Sequence, residues 1–449
     1  MDGYETRVRR IRDPIHDLIA FDPRDPLDTL AWRLINSREF QRLRRVRQLG
    51  FSEMVFPGAT HTRFSHCLGA FHVARALLKL IEKKVTSFDK SKAFVAGIAA
   101  LLHDIGHGPF SHVFENIQKD LGRGRKHELW GREIIEGDTE IHKLLDDQGF
   151  EASELGLLLS RKDPRDIYDS VVSSQFDADR LDYLMRDRYM SGTRTGAFDV
   201  SWLLDCLETG LIYIGQENDY VEVNGLYINH KGLAAAESYV LARFHLYTQV
   251  YLHKTTRSAE RMLAALLCKL AELFEKGDGG SAGLHERHVL AQFFKNDKPD
   301  LVAYLDLDDV AIWSGISEMT AATDDIVRNL AVRLQDRKLY KCLDVGELTK
   351  GESSNSVLKF KRRLQERKPQ LGTKVLTDEV SLTAYGVHEF EDPGAFQKVL
   401  IGRPDGRLDD IRERSPIVKS IEKQRIFRVY CSDNSTLYEM KELLKEVVK

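Results

Sequence analysis

Cysteine is scarce in this sequence and is never arranged in close pairs. Five cysteines are scattered over 449 residues, an odd number, and none is spaced as Cys-x-x-Cys; they are Cys67, Cys206, Cys268, Cys342 and Cys431. This distribution argues against a disulfide framework and against a zinc site built from thiolates. A reducing compartment suits such cysteines, and we therefore expect the protein in the cytoplasm.

Long apolar runs and an excess of one charge are also missing. Nowhere do about 18 uncharged apolar residues follow one another, and the amino-terminal MDGYETRVRRIRDPIHD has charges but no apolar stretch. The 66 basic residues nearly balance the 69 acidic residues, so the overall charge does not require a nucleic-acid partner. We expect a soluble protein that does not act at a membrane.

The chain is longer than a protein with one hydrophobic core usually is. With 449 residues it passes the roughly 250 to 300 residues at which single cores stop growing. Breaks in the helical pattern at 277–283 and 350–356 divide it into a core at 1–275, a helical segment at 276–355 and a mixed region at 356–449. We expect a mainly α fold with a small β-hairpin and a mixed α/β carboxyl-terminal region, which serves oligomerisation or regulation.

The clearest chemical signal is ALLHDIGHGPFSH at residues 100–112. An apolar helix ends there in a glycine-containing loop that carries His103, Asp104, His107 and His112. Each buried imidazole or carboxylate needs a partner to offset its desolvation, and a divalent metal is the natural one. The alternative is a capped helix end, and a His-Asp pair alone proves little, since about one arises by chance and another occurs at His16-Asp17.

Helical periodicity places further candidates near this loop. Residues 92–102 form an apolar helix that delivers the His-Asp pair, and His66 lies on the buried face at the start of another helix, with Arg63 one turn before it. His127 comes early in a helix at 126–135. Residues 39–50 also repeat apolar positions at helical spacing, with arginines on the other side. Such a face is usually solvated, but it could also meet phosphate.

Two later segments combine charge with aromatic rings. The helix that contains DADRLDYLMRD carries aspartates and a tyrosine along one side, which suits either a solvated surface or a sugar-phosphate pocket. After a hairpin at 211–227, one uninterrupted helix is predicted from Gly232 to about Phe274. On it, a basic and aromatic stripe of a type that holds phosphates comprises Arg243, Tyr247, Tyr251 and Lys254.

Five sequence blocks, taken in chain order, resemble one protein family. QRLRRVRQLG, FPGATHTRFSH, LLHDIGHGPFSH, the pair His127-Glu128 and DADRLDYLMRD resemble the HD-domain phosphohydrolases, in the deoxynucleoside-triphosphate triphosphohydrolase branch. That branch includes the animal sterile-alpha-motif and HD-domain enzyme and stand-alone bacterial homologues. The likeness covers about the first 260 residues and starts within the first dozen, so we expect no sterile-alpha-motif domain. It implies a helical HD-domain core.

The resemblance also implies roles for individual residues. It places one divalent ion, manganese, iron, zinc or magnesium, on His66, His103, Asp104 and Asp179. It places catalytic groups near the α-phosphate at His107, His112 and His127, with Glu115 orienting one of them. It places the substrate against Gln48, Leu49, Arg63, Arg180, Tyr183, Asp187, Arg243, Tyr251 and Lys254.

Partners and regulation follow from the same resemblance. It implies a homo-oligomer, a dimer or tetramer, additional magnesium carried by the nucleotide, and a regulatory nucleotide near Arg12 and Arg44. Three residues depart from the animal enzymes: Arg180 replaces lysine, Tyr247 replaces histidine, and Arg12 replaces a small polar residue. Arginine and lysine are not equivalent in geometry, so contacts at position 180 should differ from those of the animal enzymes.

Three hypotheses about function remain. The first is a metal-dependent enzyme that converts dNTP to deoxynucleoside and inorganic triphosphate. The second is an HD-type phosphodiesterase or phosphatase on another nucleotide; against it, IGHG rather than an acidic pair follows the His-Asp pair, and no Gly-Tyr-Pro block accompanies it. The third is a non-catalytic binder of nucleotides or single-stranded nucleic acid that uses Arg42, Arg44, Arg45 and Arg47.

Overall fold

The structure, a computed structural model, is mainly α-helical. It describes residues 7–160, 164–216, 219–296, 299–349, 354–387 and 398–448. Within these ranges 21 α-helices surround three small sheets, which confirms the predicted fold class. None of the helices in these ranges combines the length and apolar character needed to cross a membrane.

The chain begins with a β-hairpin and two short helices. Strands β1 and β2 pair antiparallel from Arg9 opposite Phe21 to Asp13 opposite Asp17. The elements are β1 (Arg9–Asp13), β2 (Asp17–Phe21), α1 (Pro26–Ile35) and α2 (Arg38–Arg42). The side chain of Asp13 accepts the backbone N–H groups of Ile15 and His16 at 2.9 and 3.0 Å, and this turn presents His16 to the helices behind it.

Eight helices follow and form the centre of the molecule. They are α3 (Arg63–Lys84), α4 (Lys90–Leu102), α5 (His112–Asp120), α6 (His127–Glu136), α7 (Glu140–Asp146), α8 (Ala152–Ser160), α9 (Ala178–Ser191) and α10 (Val200–Asp205). The long helix α3 packs against both α4 and α9, because each buries an apolar face against it. The start of α3, the end of α4 and the start of α9 therefore meet.

The prediction of a single helix at residues 39–50 is wrong. Helix α2 ends at Arg42, a 3-10 turn spans Leu43–Arg45, Val46 is extended, and a second 3-10 turn spans Gly50–Met54. Between the two turns, the N–H of Gln48 donates to the carbonyl of His61 at 3.1 Å, and the N–H of Arg63 donates to the carbonyl of Val46 at 2.9 Å. These tertiary backbone bonds replace the helical ones, so apolar periodicity alone misled the prediction.

The prediction of one uninterrupted helix after the hairpin is also wrong. The elements there are β3 (Leu207–Gln216), β4 (Asp219–Ile228), α11 (Leu233–Leu246) and α12 (Lys254–Glu275). Between the two helices lies a π-helical turn, Tyr247–Tyr251, and α12 starts afresh because the side chain of His253 caps it by accepting the N–H of Thr255 at 3.2 Å. Such π turns are wider than an α turn and are frequent at functional sites.

The last third of the chain combines helices with short strands. Its elements are α13 (Val289–Lys295), α14 (Leu301–Leu305), α15 (Asp309–Met319), α16 (Asp325–Gln335), β5 (Lys341–Asp344), α17 (Val345–Leu348), α18 (Ser354–Leu371), β6 (Val375–Thr383), β7 (Gly386–Val387), β8 (Leu400–Gly402), β9 (Leu408–Asp410), α19 (Ile411–Arg414), α20 (Pro416–Lys419), β10 (Gln424–Cys431) and α21 (Asn434–Val448).

Strand pairing ties this last third to what precedes it. One sheet has the order β5-β10-β6-β7, and another has the order β3-β4-β8-β9. The second sheet joins the carboxyl-terminal region to the hairpin of the core, and β5 joins it to the preceding helices. The division into three parts stays a prediction; of its second break, residues 350–353 lie outside the described residues.

Candidate metal centre and active-site cleft

Four side chains from three helices converge where α3, α4 and α9 meet. The Nε2 atom of His66 lies 3.1 Å from Nε2 of His103 and 3.0 Å from Oδ1 of Asp179. The Nε2 atom of His103 lies 3.4 Å from Oδ1 of Asp104 and 3.5 Å from Oδ1 of Asp179. The structure thus brings together all four side chains that the resemblance assigns to a metal.

Hydrogen bonds at the Nδ1 atoms of His66 and His103 determine which nitrogen of each ring can bind an ion. Nδ1 of His66 lies 2.8 Å from Oδ2 of Asp182, and Nδ1 of His103 lies 2.9 Å from the carbonyl of Ala100. An oxygen acceptor there requires a proton on Nδ1, so the lone pair of each neutral ring is on Nε2. Two lone pairs and a carboxylate at such distances repel one another unless a cation lies between them.

The spacing of the donors suits a divalent ion. A six-coordinate ion with bonds of about 2.1 Å holds neighbouring ligand atoms about 3 Å apart, close to the separations measured here. Burial lowers the pKa of His66, but its hydrogen bonds to Asp179 and Asp182 outweigh burial and raise the pKa to about 10, so without a metal a proton occupies the position on Nε2 that a divalent ion would take. Imidazole and carboxylate donors accept manganese, iron, zinc or magnesium.

Asp104 is buried and stays ionised. Burial raises its pKa, but the Arg63 guanidinium, which pairs with Oδ2, and the neighbouring histidines hold the pKa well below its usual range. Arg63 also donates from Nε to the hydroxyl of Ser111 at 2.8 Å. The arginine therefore fixes the position of the aspartate.

A second group of side chains lies beside this centre and is built around Glu115. Its carboxylate lies 3.1 Å from Nδ1 of His127 and 3.4 Å from Nδ1 of His112. Burial raises the pKa of Glu115, but the bonds to both histidines lower it strongly overall. Glu115 therefore orients two histidines, where the sequence predicted that it orients one, and leaves Nε2 of each ring free.

His107 differs from the other two histidines. Its ring stacks on that of His127 with centroids 3.8 Å apart and planes inclined by 14°, and one ring nitrogen from each of His107, His112 and His127 lies within 4.8 Å of the others. Its Nε2 lies 3.3 Å from Oδ1 of Asp104. Burial, Arg63 and His127 together hold the pKa of His107 well below its usual value, so this imidazole is neutral.

A small cavity adjoins His107. It measures about 10 Å³ and is lined by His107, Gln118 and Tyr304 among others, and one water needs about 10 to 15 Å³. Nδ1 of His107 and Nε2 of Gln118 are buried without a partner in the described part of the chain. The cavity therefore suits a single water that bonds to both.

The metal cluster opens into a cleft of about 1290 Å³. The following predicted substrate residues line it: Gln48, Leu49, Arg63, Arg180, Tyr183, Asp187, Arg243 and Tyr251. Asp104, Asp179 and all three histidines of the second group line it as well. Known ligand pockets measure about 300 to 1,000 Å³, so the cleft has room for a nucleotide.

Asp187 and Tyr251 are fixed on the wall of the cleft. The hydroxyl of Tyr251 donates to Oδ2 of Asp187 at 2.6 Å, and Nε2 of His61 lies 2.7 Å from Oδ1. The rings of Tyr251 and Tyr183 meet edge to face with centroids 6.4 Å apart. This places a polar carboxylate beside an aromatic surface, and His61 is a residue that the sequence did not single out.

Two arginines on the same wall retain unused donors. Arg180 pairs with Asp177 and donates to the carbonyl of Ser174 at 2.8 Å, and Arg243 donates to Oε1 of Gln175 at 2.7 Å. The Nε atoms of both arginines are buried and have no partner among the described residues. Buried cations with spare donors favour an anion between them.

The sequence predicted a polar face on helix α9. Such faces are commonly exposed to solvent, but this one is buried. Asp182 and Arg186 are 0% and 1% exposed and form an ion pair behind His66. Their spacing, three and seven residues after Asp179, puts them on its face of the helix. The spacing indicated which residues share this face of the helix. It could not indicate which residues of other elements pack against the face and bury it.

Three predicted site residues lie apart from the cleft. Lys254 is exposed at the first position of α12 and does not line the cleft, because the π-helical turn breaks the expected stripe. Arg12 is exposed and pairs with Asp17. The guanidinium of Arg44 lies 3.5 Å from the ring centre of Phe64, and neither Arg12 nor Arg44 lines the cleft.

Two family models match the chain. The HD domain matches residues 63–184, and the HD associated region matches residues 217–279. The first match contains all four converging side chains, and the second contains the π-helical turn and all of α12. HD domains bind divalent metals, in agreement with the donor geometry described above.

Individual relatives extend the likeness over the whole chain. It is 31% identical over 431 residues to "Uncharacterized protein YwfO" of Bacillus subtilis, covering 94% of this chain and 92% of the relative. It is 25% identical over 472 residues to the Gallus gallus protein named deoxynucleoside triphosphate triphosphohydrolase SAMHD1, covering 94% of this chain and 72% of that one.

A solved structure agrees with these relatives. The crystal structure of a phosphohydrolase from Bacteroides thetaiotaomicron superposes with a TM-score of 0.73 at 27% identity and covers 95% of this chain and 100% of that one. The resemblance read from the sequence blocks is confirmed. Taken with the converging histidines and aspartates and the two matched regions, this shows that the chain belongs to the HD-domain phosphohydrolase family.

Proposed function

We propose that this protein is a metal-dependent triphosphohydrolase that converts a dNTP to the deoxynucleoside and inorganic triphosphate. One observation carries the proposal: a single cleft is lined by Asp104 and Asp179 of the metal cluster, by the histidines held by Glu115, and by a wall of arginines and tyrosines. The chicken relative bears the name of this activity, which supports the choice of reaction within the family.

The wall of the cleft suits the parts of a deoxynucleotide. Arg180 and Arg243 have free Nε donors for phosphate oxygens, and guanidinium groups bind phosphate strongly. Asp187 already accepts one bond on each oxygen, but each oxygen has a second lone pair, which a 3′-hydroxyl can use. Tyr183, one turn after Asp179 on α9, offers its ring to the sugar.

The chemistry divides between an ion and the side chains around it. A divalent ion held by His66, His103, Asp104 and Asp179 would polarise the α-phosphate and supply an activated water. In the balanced reaction, the water oxygen bonds to the α-phosphorus, the bond from that phosphorus to the 5′-oxygen breaks, and the 5′-oxygen takes a proton. Inorganic triphosphate and a deoxynucleoside leave.

The chain's own histidines provide that proton. His107 is held neutral by burial and neighbouring cations, so it is a poor donor. His112 and His127 are each oriented by Glu115, whose carboxylate lies against Nδ1 of both rings. One of them therefore donates the proton to the leaving 5′-oxygen, and Glu115 holds it in place.

The non-catalytic alternative depends on Arg42, Arg44, Arg45 and Arg47, and three of these arginines have partners within the fold. Arg42 is 2% exposed and donates to the carbonyls of Leu307 and His107 at 3.0 and 2.8 Å. Arg45 pairs with Asp308, and Arg47 pairs with Glu53. These contacts engage Arg42, Arg45 and Arg47 within the fold, which supports the catalytic proposal over a dedicated nucleic-acid face.

Product identification tests the proposal. We would remove metal from the purified protein, restore manganese or magnesium, incubate it with each dNTP and separate the products. We expect deoxynucleoside and inorganic triphosphate in equal amounts, and we expect Asp104→Asn to bind less metal and to lose turnover. Formation of dNMP and pyrophosphate, or of dNDP and phosphate, would support the other HD-type hydrolase; full activity of metal-stripped Asp104→Asn would contradict the metal mechanism.

A further inference from the structure

His16 lies in the N-terminal hairpin, outside the segment that matches the HD domain, yet its side chain reaches the metal centre from behind. The side chain is 8% exposed, and Nε2 lies 2.6 Å from Oδ1 of Asp182. Oδ2 of the same carboxylate lies 2.8 Å from Nδ1 of His66. Asp182 therefore bridges His16 and a candidate metal ligand.

Every acceptor site on Asp182 is used. Besides the two histidines, Arg186 donates from Nε to Oδ2 at 2.8 Å and from Nη2 to Oδ1 at 2.9 Å. An ionised carboxylate offers about four lone-pair sites, and these four donors fill them. The carboxylate is 0% exposed, so water cannot replace a donor that is lost.

The hairpin and the helix hold each other through a closed ring of contacts. Arg186 donates from Nη1 to Oδ2 of Asp13 at 2.8 Å. Oδ1 of Asp13 accepts the backbone N–H groups of Ile15 and His16. The same aspartate therefore anchors Arg186 and shapes the turn that points His16 at Asp182.

We propose that His16 is a positioning residue for the metal centre. It donates from Nε2 to Asp182 and thereby holds that carboxylate where it accepts the Nδ1 proton of His66. This in turn keeps the Nε2 lone pair of His66 directed at the ion. The inference rests on the metal centre of the proposed function, and loss of such a supporting partner typically costs about 10- to 100-fold in metal affinity.

A purely structural role makes a different prediction. If His16 only packs the hairpin against His72, whose ring centre is 4.8 Å away, then removing its N–H should not change metal affinity. His16→Phe keeps an aromatic ring and lacks the donor, and His16→Gln restores an N–H donor without the ring. Arg10→Ala is the matched control, since Arg10 is exposed on the same hairpin and donates only to the carbonyl of Val8 in the described structure.

The experiment measures metal affinity directly. We would strip the full-length proteins of metal, confirm folding by thermal unfolding, and titrate manganese by calorimetry. We expect His16→Phe to weaken binding about 10- to 100-fold, His16→Gln to recover most of it, and Arg10→Ala to match the wild type. Equal affinity of a folded His16→Phe protein would overturn the inference, whereas a wild type that binds no divalent metal would remove the metal centre itself.

Histidine tautomers provide a second test that needs no variant. In the metal-loaded wild type labelled with ¹⁵N-histidine, we expect the proton of His16 on Nε2 and that of His66 on Nδ1. The opposite tautomer at His16 would overturn the inference even if His16→Phe failed to fold.

Discussion

At the scale of single residues, the site depends on which nitrogen of each histidine carries its proton. Asp182 and the carbonyl of Ala100 each bond to an Nδ1 atom in the metal cluster, and Glu115 does the same for two more rings. All four rings are thereby left with Nε2 facing the cleft or the ion. The four rings are chemically alike, so the groups around each ring determine which role we propose for it.

Removing one proton donor should slow chemistry and leave binding intact. We expect His127→Ala to keep its metal and its KM while kcat falls about 10²- to 10⁴-fold, the usual contribution of a general acid or base. Steady-state kinetics and metal analysis measure this, with His142→Ala as a control, since His142 bonds to the carbonyl of Ile135. An unchanged kcat would make His127 a residue of the helix start only.

Tyr183 should select deoxyribose over ribose. A ring packed against C2′ leaves a 2′-hydroxyl without a partner, which costs about 1 to 3 kcal/mol, or roughly 5- to 150-fold in kcat/KM. We would compare dATP with ATP as substrates of the wild type, Tyr183→Phe and Tyr183→Ala. The phenylalanine variant should keep the preference and the alanine variant should lose it. The same ratio in all three folded proteins would remove Tyr183 as the sugar filter.

At the scale of elements, periodicity predicted the helices around the His-Asp pair well. It failed where backbone hydrogen bonds to distant residues, or a change in helix type, interrupted the pattern. The helices that carry His66 and the His-Asp pair begin and end close to the predicted residues. The prediction failed at 39–50, where the chain pairs with 61–63, and at 232–274, where a π-helical turn intervenes. Those contacts join distant residues, so no local window of sequence contains them.

Helices α3 and α9 can approach closely only because residue 69 is glycine. A Cβ atom on Gly69 would overlap Oδ1 of Asp182 and Nη2 of Arg186. Alanine favours a helix by about 1 kcal/mol over glycine, but overpacking costs about 1 to 3 kcal/mol, and the overlapped atoms are pinned by their ion pair. We therefore expect Gly69→Ala to lower the free energy of unfolding.

Urea unfolding checks this, with Gly280→Ala as the control, since a Cβ atom on Gly280 would meet nothing within 4 Å. A Gly69→Ala protein as stable as the control would contradict the account of this helix pair.

At the scale of the whole molecule, a buried ion cluster attaches the carboxyl-terminal sheet to the core. Asp378 on β6 is 1% exposed and binds Arg257 and Arg261 of α12, with Oδ1 at 2.6 and 2.7 Å from their Nη2 atoms. Burial raises the pKa of Asp378, but the two arginines outweigh burial and lower it overall. This contact could not be predicted from local sequence patterns, because Asp378 lies more than 100 residues from both arginines.

This cluster should make stability depend on pH. Because the folded state lowers the pKa of Asp378, its contribution is full above the unfolded value of about 3.9 and is lost as pH falls below that value. We expect Asp378→Asn to lower the free energy of unfolding by about 3 kcal/mol at pH 7, and the difference from wild type to shrink below about pH 4. Urea unfolding at several pH values measures it. Asp405→Asn, in an exposed pair with Arg407, should change little; a pH-independent difference at Asp378 would contradict the linkage.

The central claim is that water attacks the α-phosphorus of a dNTP in the cleft, and the fate of the water oxygen tests it most directly. We would run the reaction in H₂¹⁸O and analyse the products by mass spectrometry. The account predicts one ¹⁸O atom in each inorganic triphosphate and none in the deoxynucleoside. Label in the 5′-hydroxyl of the deoxynucleoside, or in orthophosphate or pyrophosphate in place of triphosphate, would contradict it.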